Sequence, residues 1–151
     1  MEKRIVSHSE SETRKVAQEL MKEYAQKNSE KPLIVLFKGD LGAGKTHFVK
    51  EMGRELGVEE IVSPAFVVYY EYPIEKDGYN YLYHFDLYRI TEPEEFENLG
   101  IEDVLQPGNV VAIEWSEKSG PIAELLRERG SIVEVDIKHL EGDSREITIT
   151  Q

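Results

Sequence analysis

The sequence predicts an α/β domain whose central sheet is mixed but mostly parallel, with an antiparallel hairpin and flanking helices. Three observations predict it. Leu33-Ile34-Val35-Leu36-Phe37 is a continuous apolar run, the pattern of a parallel strand buried on both faces. It leads into Gly39-Asp40-Leu41-Gly42-Ala43-Gly44-Lys45-Thr46, and Phe48, Val49, Met52 and Leu56 then recur on one face of a helix that stops near Gly57. Val110-Val111-Ala112-Ile113 is a second apolar strand with Glu114 at its C-terminal end. Residues 39–46 fit G-x-x-x-x-G-K-[ST], and strand, glycine loop and helix are the context a phosphate-binding loop needs. Successive N–H groups and a helix N-terminus then face the anion. Lys45 can reach the outer phosphates and the Thr46 hydroxyl can bind Mg²⁺. The fold class is therefore the three-layer P-loop NTPase fold. At 151 residues the chain fits one domain, 1–151.

The remaining elements follow in order. Arg4-Ile5-Val6 reads as a short edge strand. Ser9 and Glu12 form a capping-box pattern, and Val16, Ala17, Leu20, Met21 and Tyr24 mark an amphipathic helix over about residues 10–27. Asn28 to Lys31 is a polar link. Ile61 to Tyr70 reads as a loop at Ser63-Pro64 running into a strand. That loop stands where many nucleotide hydrolases carry a mobile switch, and a plain turn is the competing reading. Asp77-Gly78 signals a hairpin to a second strand over 79–90. In it Tyr79, Tyr81, Tyr83, Phe85 and Leu87 point one way, and Leu82, His84, Asp86 and Tyr88 the other. Seven of the eight tyrosines lie between positions 69 and 88, which reads first as cross-strand core packing, because a base-stacking platform needs accompanying Lys and Arg. Glu92 to Phe96 opens a short helix ending near Gly100, Ile101 to Leu105 is a further turn of helix, and Pro107-Gly108 breaks the chain. Pro121 suits the first turn of a helix that Gly130 closes. Ile132–Ile137 and Ile147–Thr150 alternate as a terminal hairpin.

Composition narrows the function. Eighteen basic against 30 acidic residues leave a net charge of −12, which opposes direct capture of nucleic acid, though not action on RNA through a partner with a basic surface. No cysteine is present, so disulfides and thiolate metal sites are ruled out. No apolar run reaches membrane-spanning length and no signal segment opens the chain, so a soluble cytoplasmic protein is expected.

A P-loop hydrolase needs an acid at the end of a strand beside the loop, to hold Mg²⁺ or order water. Two compete. Glu114 ends the better-buried strand, and parallel strands place their C-terminal ends at the ligand crevice. Asp86 lies in the aromatic strand and can orient the attacking water or the metal shell. His84 shares the face of Asp86, but a lone histidine is more often structural. Arg89 and Arg145 are candidates to neutralise phosphate, with surface arginine as the bland alternative. Trp115 either stacks near a nucleotide or fills core. No Asn-Lys-x-Asp run reads guanine, and no Arg-rich lid of a nucleotide kinase is present.

Residues 39–46, Ser63-Pro64-x-Phe66, His84-Phe85-Asp86-Leu87-Tyr88-Arg89 and Ile113-Glu114-Trp115 together resemble the TsaE (YjeE) family, in order and spacing, from about Ser9 to Arg145. The resemblance implies a small ATPase that supports the TsaB–TsaD complex in threonylcarbamoyladenosine (t⁶A37) modification of tRNA. ATP and Mg²⁺ are its implied cofactors. TsaD and TsaB are its implied partners, with tRNA met indirectly and neither DNA nor membrane involved. By the same resemblance, Asp40, Leu41, Gly42, Ala43, Gly44, Lys45 and Thr46 look like the phosphate cradle, and Thr46 and Glu114 like the Mg²⁺ ligands. Lys45, Asp86 and Glu114 look like the catalytic set. Thr13 matches a threonine near the adenine, Trp115 the tryptophan beside the metal ligand, and Arg145 a C-terminal basic position. Two positions depart from the pattern: Ala65 stands where a threonine hydroxyl is usual, and His47 replaces a second threonine after the loop. A kinase on the same fold and a nucleotide-dependent binding module without turnover are the competing readings.

Overall fold

The computed structural model describes residues 2–25, 30–39, 44–64, 68–87, 90, 92–114 and 120–151. Seven strands form one sheet: β1 (Glu2–Ser7), β2 (Leu33–Lys38), β3 (Tyr69–Pro73), β4 (Tyr81–Asp86), β5 (Val110–Glu114), β6 (Ser131–His139) and β7 (Arg145–Thr150). Their order is β1-β7-β6-β2-β5-β4-β3. The four inner strands β6, β2, β5 and β4 run parallel; β7 on one side and β3 on the other run against them, and β1 pairs antiparallel with β7 at the edge. The fold class read from the sequence is the one observed. Gly39 thus follows a strand that, like β5, has a parallel neighbour on each side.

Each face of the sheet carries its own helices. On one, α1 (Glu10–Tyr24) and α2 (Lys45–Glu55) lay Val16, Leu20, Phe48, Val49 and Met52 over Val35, Phe37, Ala112 and Val135. On the other, α3 (Pro93–Glu97), α4 (Ile101–Val104) and α5 (Gly120–Arg129) bring Phe96, Ile101, Ile122 and Leu126 onto Ile34, Leu36, Val111 and Ile113. Successive residues of β2 serve alternate cores, which is why that strand is apolar throughout. Phe37, Phe48, Phe85 and Phe96 are all fully buried.

Ser9 caps α1 by accepting the Glu12 N–H at 3.1 Å, and the Glu12 carboxylate returns to the His8 N–H rather than to that of Ser9. The helix ends at Tyr24, three residues before the expected end. The second strand of the aromatic hairpin is also shorter than expected, running over Tyr81–Asp86 instead of 79–90. Its start is cut because Tyr79 closes the turn, donating its N–H to Lys76 and its hydroxyl to the Ala25 carbonyl. The tyrosines behave as packing groups. Tyr69 stacks on Phe85 at 4.7 Å, Phe85 tilts against Phe96 at 5.5 Å, and Tyr83 is buried with its hydroxyl on Glu71.

Two backbone features bear on the site. Gly44 is left-handed, with φ 104°. Val68, between the Ser63-Pro64 loop and β3, also has a positive φ, 76°, which a β-branched side chain resists. Its N–H reaches the Pro64 carbonyl, and its own carbonyl accepts the Asp86 N–H at 2.7 Å. Among the described residues no helix is long and apolar enough to cross a membrane.

Candidate functional site

The candidate residues gather at the C-terminal ends of the parallel strands, where this class of sheet opens its crevice. α2 begins there with Gly44 as its N-cap; among the described residues no side chain caps it, and its first turn holds no acid. The first N–H groups of the helix, with the positive end of its dipole, therefore remain available to an anion. The Lys45 amine donates to the Gly39 carbonyl at 3.0 Å, across the mouth of the loop. Asp40, Leu41, Gly42 and Ala43 lie outside the described residues.

Sheet register brings the acids in. β5 pairs β2 with Phe37 opposite Glu114, and β4 pairs β5 with Asp86 opposite Glu114. The Thr46 hydroxyl lies 3.2 Å from each oxygen of the Glu114 carboxylate. The second Glu114 oxygen also accepts from His84 Nε2 at 2.6 Å, and His84 is completely buried. Asp86 is half-buried, with its backbone N–H held by Val68. Glu114 and Asp86 thus stand side by side, and it is Glu114 that meets the Thr46 hydroxyl.

A second corner forms from the outer strands. A Cβ built on Gly44 would meet Arg145 Nε at 3.6 Å, so the guanidinium of β7 flanks the start of α2. Arg145 is the strand partner of Ser7, whose hydroxyl lies 2.6 Å from that of Thr13. Thr13 is buried, and its hydroxyl also donates to the Ser9 carbonyl. The fold therefore brings Thr13 and Arg145 to one corner through Ser7, with the Thr13 hydroxyl engaged at the start of α1. Trp115, Arg89, Ala65 and Phe66 lie outside the described residues.

Sequence reasoning missed Ser7 and the contact of His84 with Glu114. Strand alternation put His84 on the correct face, but only the strand order shows which acid it meets. A recess at the other end of the sheet, lined by Tyr24, Tyr79, Asn109 and Ser131, has no such convergence. There the Asn109 amide is engaged with the Tyr81 N–H and the Asp103 and Val104 carbonyls.

Against this geometry, a family model described as "Threonylcarbamoyl adenosine biosynthesis protein TsaE" matches residues 7–147. The chain belongs to the TsaE family. The tRNA threonylcarbamoyladenosine biosynthesis protein TsaE of Rickettsia felis is 38% identical over 143 residues, covering 93% of this chain and 75% of that protein. Its counterpart in Haemophilus influenzae is 39% identical over 110 residues, which is 72% of this chain and 66% of that protein. A solved structure, YdiB of Bacillus subtilis, superposes with a TM-score of 0.67 at 29% identity, covering 99% of this chain and 84% of that one. The TsaE family recognised from the motifs is thus the family the comparisons give.

Proposed function

We propose that this TsaE-family chain is a Mg²⁺-dependent ATPase that supports the TsaB–TsaD complex in t⁶A modification of tRNA. The observation that carries the enzymatic part is the meeting of the Thr46 hydroxyl with the Glu114 carboxylate, 3.2 Å apart, at the start of α2. The residues fit the groups they would receive. A hydroxyl and a carboxylate are hard oxygen donors of the kind Mg²⁺ takes, and Mg²⁺ ordinarily completes its shell with water and substrate phosphates. Bound there, the ion would neutralise charge on the phosphate oxygens.

The chain's own groups would do the rest. The N–H groups from Gly44 onward would bind the phosphate tail. Lys45 would exchange the Gly39 carbonyl for an outer phosphate. Arg145, beside Gly44, would add a second positive charge. Asp86, opposite Glu114 in register, would orient the attacking water. The part in tRNA modification rests on the family membership and on the names its relatives carry. The net charge of −12 agrees with a protein that reaches tRNA through partners.

The test has two arms. Purified protein with Mg²⁺ and ATP should release free phosphate rather than phosphorylate an acceptor, which separates a hydrolase from a kinase. Pull-down with TsaB and TsaD homologues should respond to ATP. Nucleotide binding without phosphate release would leave a binding module, and failure to bind either partner in any nucleotide state would remove the assembly role.

A further inference from the structure

His84 occupies a position where packing alone favours an apolar side chain. It lies in β4, completely buried, with Phe85 beside it in the chain and Ala112 opposite it in β5. Its Nδ1 is buried and finds no partner among the described residues. A buried polar atom left without a partner is unfavourable, and a leucine here would not incur that penalty. What the histidine supplies in return, among the described residues, is one side-chain hydrogen bond. A carboxylate only accepts, so Nε2 carries the hydrogen and donates it to Glu114 Oε2 at 2.6 Å, in the range of strong charge-assisted bonds. The ring itself is held by the core around it.

The same carboxylate faces Thr46. Its other oxygen, Oε1, has the Thr46 hydroxyl as its only hydrogen-bond partner among the described residues. We propose that His84 is a positioning residue: by pinning Oε2 it fixes the rotation of the Glu114 carboxylate, so that Oε1 and the Thr46 hydroxyl present themselves together to one cation. This rests on the reading of Thr46 and Glu114 as Mg²⁺ ligands. His84 touches neither ion nor nucleotide and acts only through Glu114, as partners of ligating groups commonly do.

The experiment measures equilibrium binding of a fluorescent, non-hydrolysable ATP analogue in Mg²⁺ and in EDTA, for the full chain and three variants. His84→Leu removes the donor. His84→Gln places an amide N–H at about the reach of Nε2, and His84→Asn places one nearer Nδ1. The ratio of affinities in Mg²⁺ and EDTA should fall about 10- to 100-fold in His84→Leu, the range expected when the support of a metal ligand is lost, while the EDTA affinity stays within about 2-fold. His84→Gln should restore most of the ratio and His84→Asn should not. A merely structural histidine would show no such split between Gln and Asn, nor a loss confined to the Mg²⁺ arm. If His84→Leu does not fold by circular dichroism, the comparison of Gln with Asn decides alone. An unchanged ratio in His84→Leu, or equal rescue by Gln and Asn, overturns the positioning role and leaves the metal site standing. A native protein that binds the analogue with no gain from Mg²⁺ overturns both.

Discussion

The Lys45 amine rests on the Gly39 carbonyl, and in the proposed ATPase it would exchange that carbonyl for phosphate. Lys45→Ala should therefore abolish phosphate release and weaken ATP binding with little effect on folding, since the side chain is only half-buried. A phosphate-release assay beside a thermal melt checks both halves. Glu114→Ala should lose the Mg²⁺-dependent part of nucleotide affinity and keep some binding in EDTA, measured by titration in each buffer. Tyr83 gives a different kind of prediction. Burial, then the hydrogen bond to Glu71, push its phenol well above the ordinary tyrosine value of 10.0. The folded state thus retains a proton that the unfolded chain gives up near pH 10, so this contribution to stability is intact below that pH and is lost as pH rises above it. Tyr83→Phe should flatten the alkaline fall in stability, as followed by denaturant titration between pH 9 and about 11. At this scale the sequence was legible where chemistry is carried by local pattern. Gly44, Lys45 and Thr46 follow from the loop motif, and Glu114 from the end of an apolar strand. The bond from His84 to Glu114 was not legible, because it depends on which strands become neighbours.

Helices α1 and α2 are joined by a buried acid. Glu51 is 2% exposed, 3.1 Å from Arg54 Nη1 and 2.9 Å from Arg14 Nε, although the Arg14 N–H is not aimed well enough to count as a hydrogen bond. Hydrophobic spacing along α2 gave no hint of it, since a glutamate in a charged sequence reads as surface. The helix-to-strand turn at Gly130 is tighter still. A Cβ there would come within 2.4 Å of Ile34 Cδ1, 2.9 Å of Ile34 Cγ1 and 3.1 Å of the Pro32 carbonyl oxygen. Ile34 is fully buried in β2 and the Pro32 carbonyl is backbone, so Gly130→Ala should destabilise the fold by about 1–3 kcal/mol, the usual penalty of overpacking. Urea titration should show a lower midpoint with an unchanged slope. The sequence marked Gly130 as the end of α5, but the crowding that requires a glycine arises from a strand nearly a hundred residues earlier in the chain (roughly two-thirds of a typical domain length). Element boundaries in the aromatic hairpin were missed for a similar reason: Tyr79 continues the alternation, yet its hydroxyl is drawn to Ala25 and its backbone to the turn.

For the whole molecule, ligand and fold should stabilise each other. ATP with Mg²⁺ at 100 times its dissociation constant should add about 2.7 kcal/mol to stability if it binds only the folded chain, and chelating the metal should remove part of that gain in a thermal melt. The mostly parallel sheet was legible from two apolar strands and the loop between sheet and helix. The full strand order was not, because alternation tells a strand which faces it has and not who its neighbours are. That order has a consequence in time. Glu2 pairs with Thr150 and Ser7 with Arg145, so the earliest strand of the sheet and the latest lie side by side. During synthesis β1 must wait, unpaired, until β7 emerges, and closing so large a loop comes late in folding. Arg145 arrives with β7, beside a Gly44 made long before. The nascent chain can thus complete its parallel strands only once β6 has emerged, and the positive flank beside Gly44 comes later still, with the final zipping of the sheet's far edge.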